Sequence, residues 1–270
     1  MKHLTSRHNP LVLAYRALAD GSDRRQILID GIHLAAEARR AGVPVADAIV
    51  AASALEVPEI AAIVAALQDA GVEVCSASAP VMAAVSPVRS SSPIVARAPR
   101  RAPPLESLFA PAPALVVCAV DIQDPGNAGA IVRVAEAGGA SGVALAGASA
   151  DPFGWKALRG AMGSAFRLPV LHPCETVGFL QDATRRGCRI IATVPRGGLP
   201  PDACDLQQPV VILVGGEGPG LPAEVIAAAN VRVSIPMTRG VESLNTAVCA
   251  ALLVYEARRQ RSGHAVPHRA

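Results

Sequence analysis

From residue 115 to 235 the chain passes through five short apolar stretches, 115–122, 142–145, 189–193, 210–214 and 231–235, separated by polar segments of helical character. A strand with one wet face alternates apolar and polar residues. Most of these do not: 115–122 is interrupted only by Asp121, and 210–214 not at all. Strands apolar at nearly every position need cover on both faces, which is the situation of parallel sheets flanked by helices. The covers are at hand, since 128–137, 153–158, 176–186, 222–229 and 244–261 all show helical spacing. Asn127 is expected to cap the first of these, Gly138 to stop it, and Ser243 to cap the last. The fold class is therefore α/β, with a mostly parallel sheet.

A smaller version of this alternation comes first. Residues 27–29, 48–51 and 72–75 read as strands, and 33–40 and 59–70 as helices. The second helix places Ile60, Ile63, Val64 and Leu67 on one face. Gly42 and Gly71 follow the helices where C′ glycines fall. Between the halves, 98–114 holds five prolines in seventeen residues. Proline removes a backbone donor and fixes φ, so this stretch is expected to be a linker. It divides the chain into a small α/β domain, 1–104, and a larger domain, 105–270.

Composition removes several classes. With 51% hydrophobic and 17% charged residues the chain is not mainly disordered. Aromatics are 3%, so Ala, Val, Leu and Ile fill the core. A formal charge of +3 does not by itself mark a nucleic-acid binder. No apolar run approaches the ~18 residues of a membrane span, and the first residues lack a secretory core. A soluble cytoplasmic chain is expected. Six cysteines without a CxxC pair read as buried thiols rather than disulfides or zinc ligands. His264 and His268 fall in a Gly/Pro-bearing tail, and no metal is expected.

Three segments carry chemistry, each at the carboxyl end of an expected strand, where ligands bind in open α/β sheets. The first runs from Asp121 through Pro125, Gly126, Asn127 and Gly129 to Arg133. Counted from Ile131 on a 3.6-residue helix, Arg133 points away from the core. The second, Gly215-Gly216-Glu217-Gly218-Pro219-Gly220-Leu221, has four glycines in six residues, which permits close backbone approach to a ligand. It is no dinucleotide fingerprint, because Glu217 breaks GxGxxG, and no Walker loop, because GK[ST] is missing. The third joins Ile235, Pro236 and Met237 to Glu242, Ser243, Leu244 and Asn245.

In this order and spacing the segments resemble the three motifs of the SpoU/TrmH family of RNA ribose 2′-O-methyltransferases, of the SPOUT class. The stretch from Gly160 through Gly163 and Ser164 to Pro169 resembles the family's intervening segment. Residues 5–10 and 30–32 resemble its RNA-binding domain more weakly. The resemblance implies a trefoil-knotted sheet, S-adenosyl-L-methionine as methyl donor, RNA as substrate and a homodimer. It implies donor contacts, largely through backbone, at Gly215, Gly216, Glu217, Gly218, Gly220, Ile235, Pro236, Met237, Leu244 and Asn245. Thr193, Val194 and Gly197, at another strand end, are expected to close over the adenine. Arg133, Asn127, Glu217, Ser243 and Asn245 stand at the family's catalytic and structural positions. Gly216 stands where the family commonly has Asn or Ser, which leaves only a backbone contact there.

For the mechanism, a guanidinium is a poor proton acceptor. Arg133 is therefore expected to clamp phosphate and stabilise the developing alkoxide, with a phosphate or water taking the proton. RNA contacts are expected from Arg7, Arg24, Arg25, Arg39 and Arg40, since residues 1–40 carry seven Lys/Arg against four Asp/Glu. Arg89, beside Ser90, Ser91 and Ser92, extends that rim. With few aromatics for stacking, recognition should read RNA shape and backbone. A full N-terminal domain favours ribosomal over transfer RNA. Two other readings are a non-catalytic RNA-binding member of the fold and a nucleotide-dependent oxidoreductase. The intact motif residues argue against the former, the broken fingerprint against the latter. The final helix bears an apolar stripe of Leu244, Val248, Ala251, Leu252 and Tyr255, offered as the dimer surface with 128–137.

Overall fold

Asn9 followed by Pro10 starts the first helix. The Asn9 side chain accepts from the Leu11 N–H, and proline at the first turn gives up no bond the helix would use. In the computed structural model, which describes residues 1–262, the elements begin with β1 (Lys2–Leu4), α1 (Pro10–Asp20), β2 (Gln26–Asp30), α2 (Ile32–Arg40) and β3 (Asp47–Ala51). There follow α3 (Pro58–Asp69), β4 (Glu73–Ala77), α4 (Ala79–Val85) and β5 (Ile94–Pro99). The five strands make one sheet in the order β1-β4-β3-β5-β2. β1, β4 and β3 run parallel, while β5 is antiparallel to both neighbours. Gly42 and Gly71 have positive φ, 63° and 78°, at the ends of α2 and α3 as expected. Tyr15 of α1 is fully buried and donates to Asp47 Oδ1 at 2.7 Å, and Arg97 of β5 pairs with the same carboxylate.

The expected linker is partly structured. Ala98 and Pro99 end β5, paired with Ile27 and Gln26 of β2. Residues Leu105–Phe109 form a 3-10 turn that buries Leu108. Proline is accommodated because the β5 end and the turn ask little of its missing N–H.

The chain continues with β6 (Leu115–Val120), α5 (Pro125–Gly138) and β7 (Gly142–Ala146). Next come α6 (Trp155–Ala161), β8 (Val170–Cys174), α7 (Thr176–Arg185) and β9 (Arg189–Thr193). It closes with β10 (Val210–Gly215), α8 (Ala223–Ala227), β11 (Val231–Val233) and α9 (Thr246–Arg261). Strands β6 to β11 form a six-stranded sheet in the order β11-β9-β10-β6-β7-β8, parallel at every pairing. All of β6 is buried, as its lack of alternation requires.

Two compact units emerge: Met1–Arg101 with Phe153–Arg167, and Ala102–Pro152 with the chain from Leu168 onward. Helix α6, sequentially between β7 and β8, thus belongs to the first unit. There Arg159 Nη1 meets Asp30 Oδ2 at 2.9 Å, and Asp30 has a fully buried side chain that also accepts from Ser86 Oγ at 2.8 Å. Arg167 pairs with Glu37, and both Arg167 and Arg40 hold the Glu37 carboxyl below its ordinary pKa.

All six cysteines are free thiols, and only Cys249 is not buried. Among the described residues no helix is long and apolar enough to cross a membrane, and no cluster of His, Cys, Asp and Glu is placed to hold a metal. His264 and His268 lie outside the described residues.

Candidate active site

The strand order reverses around β6: the chain moves outward to β7 and β8, then returns to the other side, where β10 is inserted between β9 and β6. A crevice at the carboxyl ends of strands is the physical consequence of such a switch. Here the loops after β9, β10 and β11 and the start of α9 enclose a cleft of about 360 Å³, within the range of small-molecule sites. Of the residues expected to hold the donor, Thr193, Val194, Gly215, Gly216, Glu217, Gly218, Gly220, Ile235, Met237, Leu244 and Asn245 line it. Gly197 and Pro236 instead line an adjoining cleft.

The glycine loop has a local cause for its composition. Gly215 is in register with Val120, so the loop leaves β10 level with Asp121. A Cβ on Gly216 would overlap the Asp121 carbonyl, and one on Gly215 would overlap the Gly220 backbone. Gly216 and Gly220 form an antiparallel bridge, and Gly218 and Gly220 take φ of 89° and 70°, values open to glycine and strained for other residues. The far side is held by Thr246 Oγ1, which donates to the Gly215 carbonyl at 2.9 Å. Val194 N–H donates to the Val233 carbonyl at 2.9 Å, tying the loops after β9 and β11 together.

Two expected caps are displaced. Asp124, not Asn127, caps α5: its Oδ1 accepts from the Asn127 N–H at 2.8 Å, with Pro125 at the first helical position. Asn245, not Ser243, caps α9, accepting from Ala247 and Val248. An aspartate three residues before a free N–H, or an asparagine just before the helix, outcompetes the candidate chosen from the sequence. The stop of α5 is likewise Gly139, at φ 86°, while Gly138 is its last helical residue. What Asn127 does instead is accept, through Oδ1, a hydrogen bond from Asn245 Nδ2 at 3.0 Å. The first and third motifs therefore meet side chain to side chain.

Ser243 and Glu217 line the cleft and are exposed. Arg133 does not line it. It is exposed on α5, pointing outward as expected, without a hydrogen-bond or ion-pair partner among the described residues. Thr246 and Cys249 also line the cleft, though the sequence reading omitted both. Both lie in the first turn of α9, where a true cap at Asn245 would have directed attention. Burial raises the Cys249 thiol above its ordinary pKa, which keeps it a neutral wall.

The six arginines expected on RNA are all exposed. Arg25 pairs with Asp23 and Arg40 with Glu37, while Arg7 Nε donates to the Pro80 carbonyl. Arg24, Arg39 and Arg89 keep unpaired guanidinium groups among the described residues.

Fold and site together define a mostly parallel α/β protein with a loop-built cleft at the strand ends of its larger sheet. Residues 114–255 match the SpoU rRNA Methylase family, and the chain belongs to that family. It is 29% identical over 261 residues to the 23S rRNA (guanosine(2553)-2′-O)-methyltransferase RlmP of Bacillus subtilis, covering 96% of this chain and 100% of that one. It is 38% identical over 146 residues to an uncharacterized tRNA/rRNA methyltransferase of Synechocystis, covering 54% of this chain. That match spans about half of the relative, 53% of its length. The AdoMet-bound rRNA methyltransferase of Sinorhizobium meliloti superimposes with a TM-score of 0.83 at 29% identity, over 96% of this chain and 97% of that one.

Proposed function

We propose that this chain transfers a methyl group from S-adenosyl-L-methionine to a ribose 2′-hydroxyl of RNA, and of ribosomal RNA in preference to transfer RNA. The observation that carries the reading is the meeting of the second and third motifs on a single cleft, to which the first motif is joined by the hydrogen bond from Asn245 to Asn127. Its residues suit the donor: a backbone-lined glycine turn beside the apolar side chains of Val214, Leu221 and Ile235 fits an adenosine, which asks for hydrogen bonds to main chain and a flat apolar slot. The Glu217 carboxylate at the wall adds negative potential, favourable to a cation. When bound, the donor supplies a methyl carbon already electrophilic on a sulfonium.

The protein's own work is alignment and electrostatics. Alignment of reacting groups can supply ~7–11 kcal/mol of barrier reduction. Asn245 fixes Asn127 at the rim, and Ser243 offers a hydroxyl beside it. Arg133 clamps RNA phosphate and stabilises the developing alkoxide, while a phosphate or water accepts the proton. The unpaired state of its guanidinium supports this role. Arg24, Arg39 and Arg89, also unpaired, are the stronger RNA-contact candidates of the first unit, with Arg7, Arg25 and Arg40 beside them.

The reading includes a homodimer, a trefoil knot in the C-terminal part and a cytoplasmic location. For the dimer the support is α9: Val248, Leu252 and Tyr255, at 45%, 46% and 50% exposure, form one apolar stripe opposite the buried face of Ala247, Ala250, Val254 and Ala257. For the domain organisation, the motif-bearing residues lie after residue 104 and five of the six RNA-contact arginines lie before residue 41. A filter assay with tritiated S-adenosylmethionine and bulk RNA tests the function. Wild type is expected to label RNA, and Arg133→Ala to bind donor normally but turn over ~100- to 1000-fold more slowly, the usual cost of one transition-state donor. Turnover within threefold of wild type would assign Arg133 to solvent.

A further inference from the structure

Next to the donor cleft is a second one, of about 560 Å³, whose two arginines belong to none of the three motifs. Its walls are the loops after β9 and β11, and it shares Pro195, Ile235 and Met237 with the donor cleft. The charged residues lining it are Arg196 and Arg239, one from each wall, and no acid lines it. Both are exposed and without a hydrogen-bond or ion-pair partner among the described residues. Each precedes a glycine of positive φ, Gly197 at 79° and Gly240 at 90°. The walls are fastened to each other: Gly198 N–H donates to Ser234 Oγ at 2.8 Å, and Ser234 N–H to the Leu199 carbonyl at 2.9 Å. The two walls are therefore fixed to each other at the base of the cleft, two residues after Arg196 and five before Arg239.

Two guanidinium groups lining one cleft, with no carboxylate among its walls, make a site of one sign, and its complement is an anion. Arginine's planar fork matches a phosphodiester in two hydrogen bonds at once. A ribose presented to the donor carries a phosphate on each side. A cleft that shares Pro195, Ile235 and Met237 with the donor site adjoins the place where that ribose would be presented.

We propose that this cleft holds the phosphodiester adjacent to the methylated ribose, gripped by Arg196 and Arg239 from its two walls. The inference rests on the methyltransferase reading and extends it by naming the residues that set the register of the RNA strand. Phosphate contacts of this kind position a nucleic acid without reading its sequence.

The test uses the full chain, deproteinised ribosomal RNA and S-adenosylmethionine, comparing wild type with Arg196→Ala/Arg239→Ala and with Arg196→Lys/Arg239→Lys. The alanine pair is expected to bind RNA about tenfold more weakly, as loss of charge-assisted hydrogen bonds dictates. The slope of log affinity against log salt should fall by about 0.7, the share of one single-strand phosphate. The KM for RNA should rise in parallel while donor affinity by calorimetry stays within twofold. The lysine pair should retain the salt slope. Unchanged RNA affinity and slope in the alanine pair would overturn the assignment, as would loss of donor binding with RNA binding intact. A wild-type chain that binds donor but no RNA would overturn the functional reading, and this one with it.

Discussion

Asn245 performs two tasks with one amide: its oxygen caps α9 and its nitrogen donates to Asn127. The two can be separated. Asn245→Ala loses both, and is expected to cost about 1 kcal/mol of stability, within the 0.5–2 of a lost cap, together with most turnover. Asn245→Asp keeps the accepting oxygen, so stability should hold within about 0.5 kcal/mol. It offers no donor to Asn127, so turnover should still fall. Denaturant melts and RNA methylation of the two variants check this, and equal melting with equal activity would leave the Asn127 contact without consequence. At Gly216 the argument runs through backbone. A side chain there meets the Asp121 carbonyl, which cannot swing aside as a side chain would. Gly216→Ser, toward the commoner family residue, is expected to destabilise by about 1–3 kcal/mol, the cost of overpacking, and to weaken donor binding. Thermal melting and calorimetry would show it. The sequence showed that a glycine turn stood here. It did not show that Asp121, at φ 57° and more than ninety residues earlier, was the reason.

Helices α5 and α9 pack against each other, and Gly138 sets how closely. A Cβ there would overlap Val254 Cγ1, and Val254 is fully buried with little room to turn. Replacing a helical glycine with alanine ordinarily gains about 1 kcal/mol. Against this, overpacking costs about 1–3 kcal/mol, so Gly138→Ala is expected to be net destabilising by about 1 kcal/mol. Val254→Ala alone should also destabilise, and the pair should recover part of the sum. A double-mutant cycle by chemical denaturation checks the sign, and strict additivity would mean the helices do not meet at this point. The pattern of the elements explains what could be read beforehand. Strands buried on both faces, such as β6 and β10, announce themselves through unbroken apolar runs. β1 has three residues, and β5 contains Arg97 and ends in Pro99, so neither has such a run. Their place is decided by partners distant in sequence: β1 pairs with β4, and β5 with β2 and β3. Gly138 was read as a stop because two adjacent glycines both satisfy the local rule. Only the packing of α9 distinguishes them.

Over the whole molecule, the division at the proline-rich stretch leads to the expectation that residues 105–270 fold alone. The segment Phe153–Arg167 qualifies it. Its buried Ala157, Leu158 and Ala161, and its ion pairs to Asp30 and Glu37, belong with the first unit. In a fragment of residues 102–270 these apolar groups face water, while both arginines lose their carboxylates. The ion pair to exposed Arg167 is a minor loss, of about 1 kcal/mol or less. Exposure of several apolar side chains, at roughly 1.5–3 kcal/mol for a large one such as Leu158, is the greater penalty. The donor cleft itself lies wholly in residues 193–249 and needs none of them. The unmodified fragment is therefore expected to bind S-adenosylmethionine but to aggregate on concentration. A second fragment, with 153–167 replaced by about eight Gly/Ser residues, spans roughly 15 Å as a flexible chain. That reach, added to the flanking residues, is comparable to the roughly 17 Å length of a five-residue strand that the connection from β7 to β8 must retrace. This version is expected to stay monodisperse in light scattering, to match the full chain in donor affinity within about threefold, and to label no RNA. If it fails to bind donor while the unmodified fragment succeeds, residues 153–167 support the catalytic sheet directly, and the two-unit division does not describe how the protein folds.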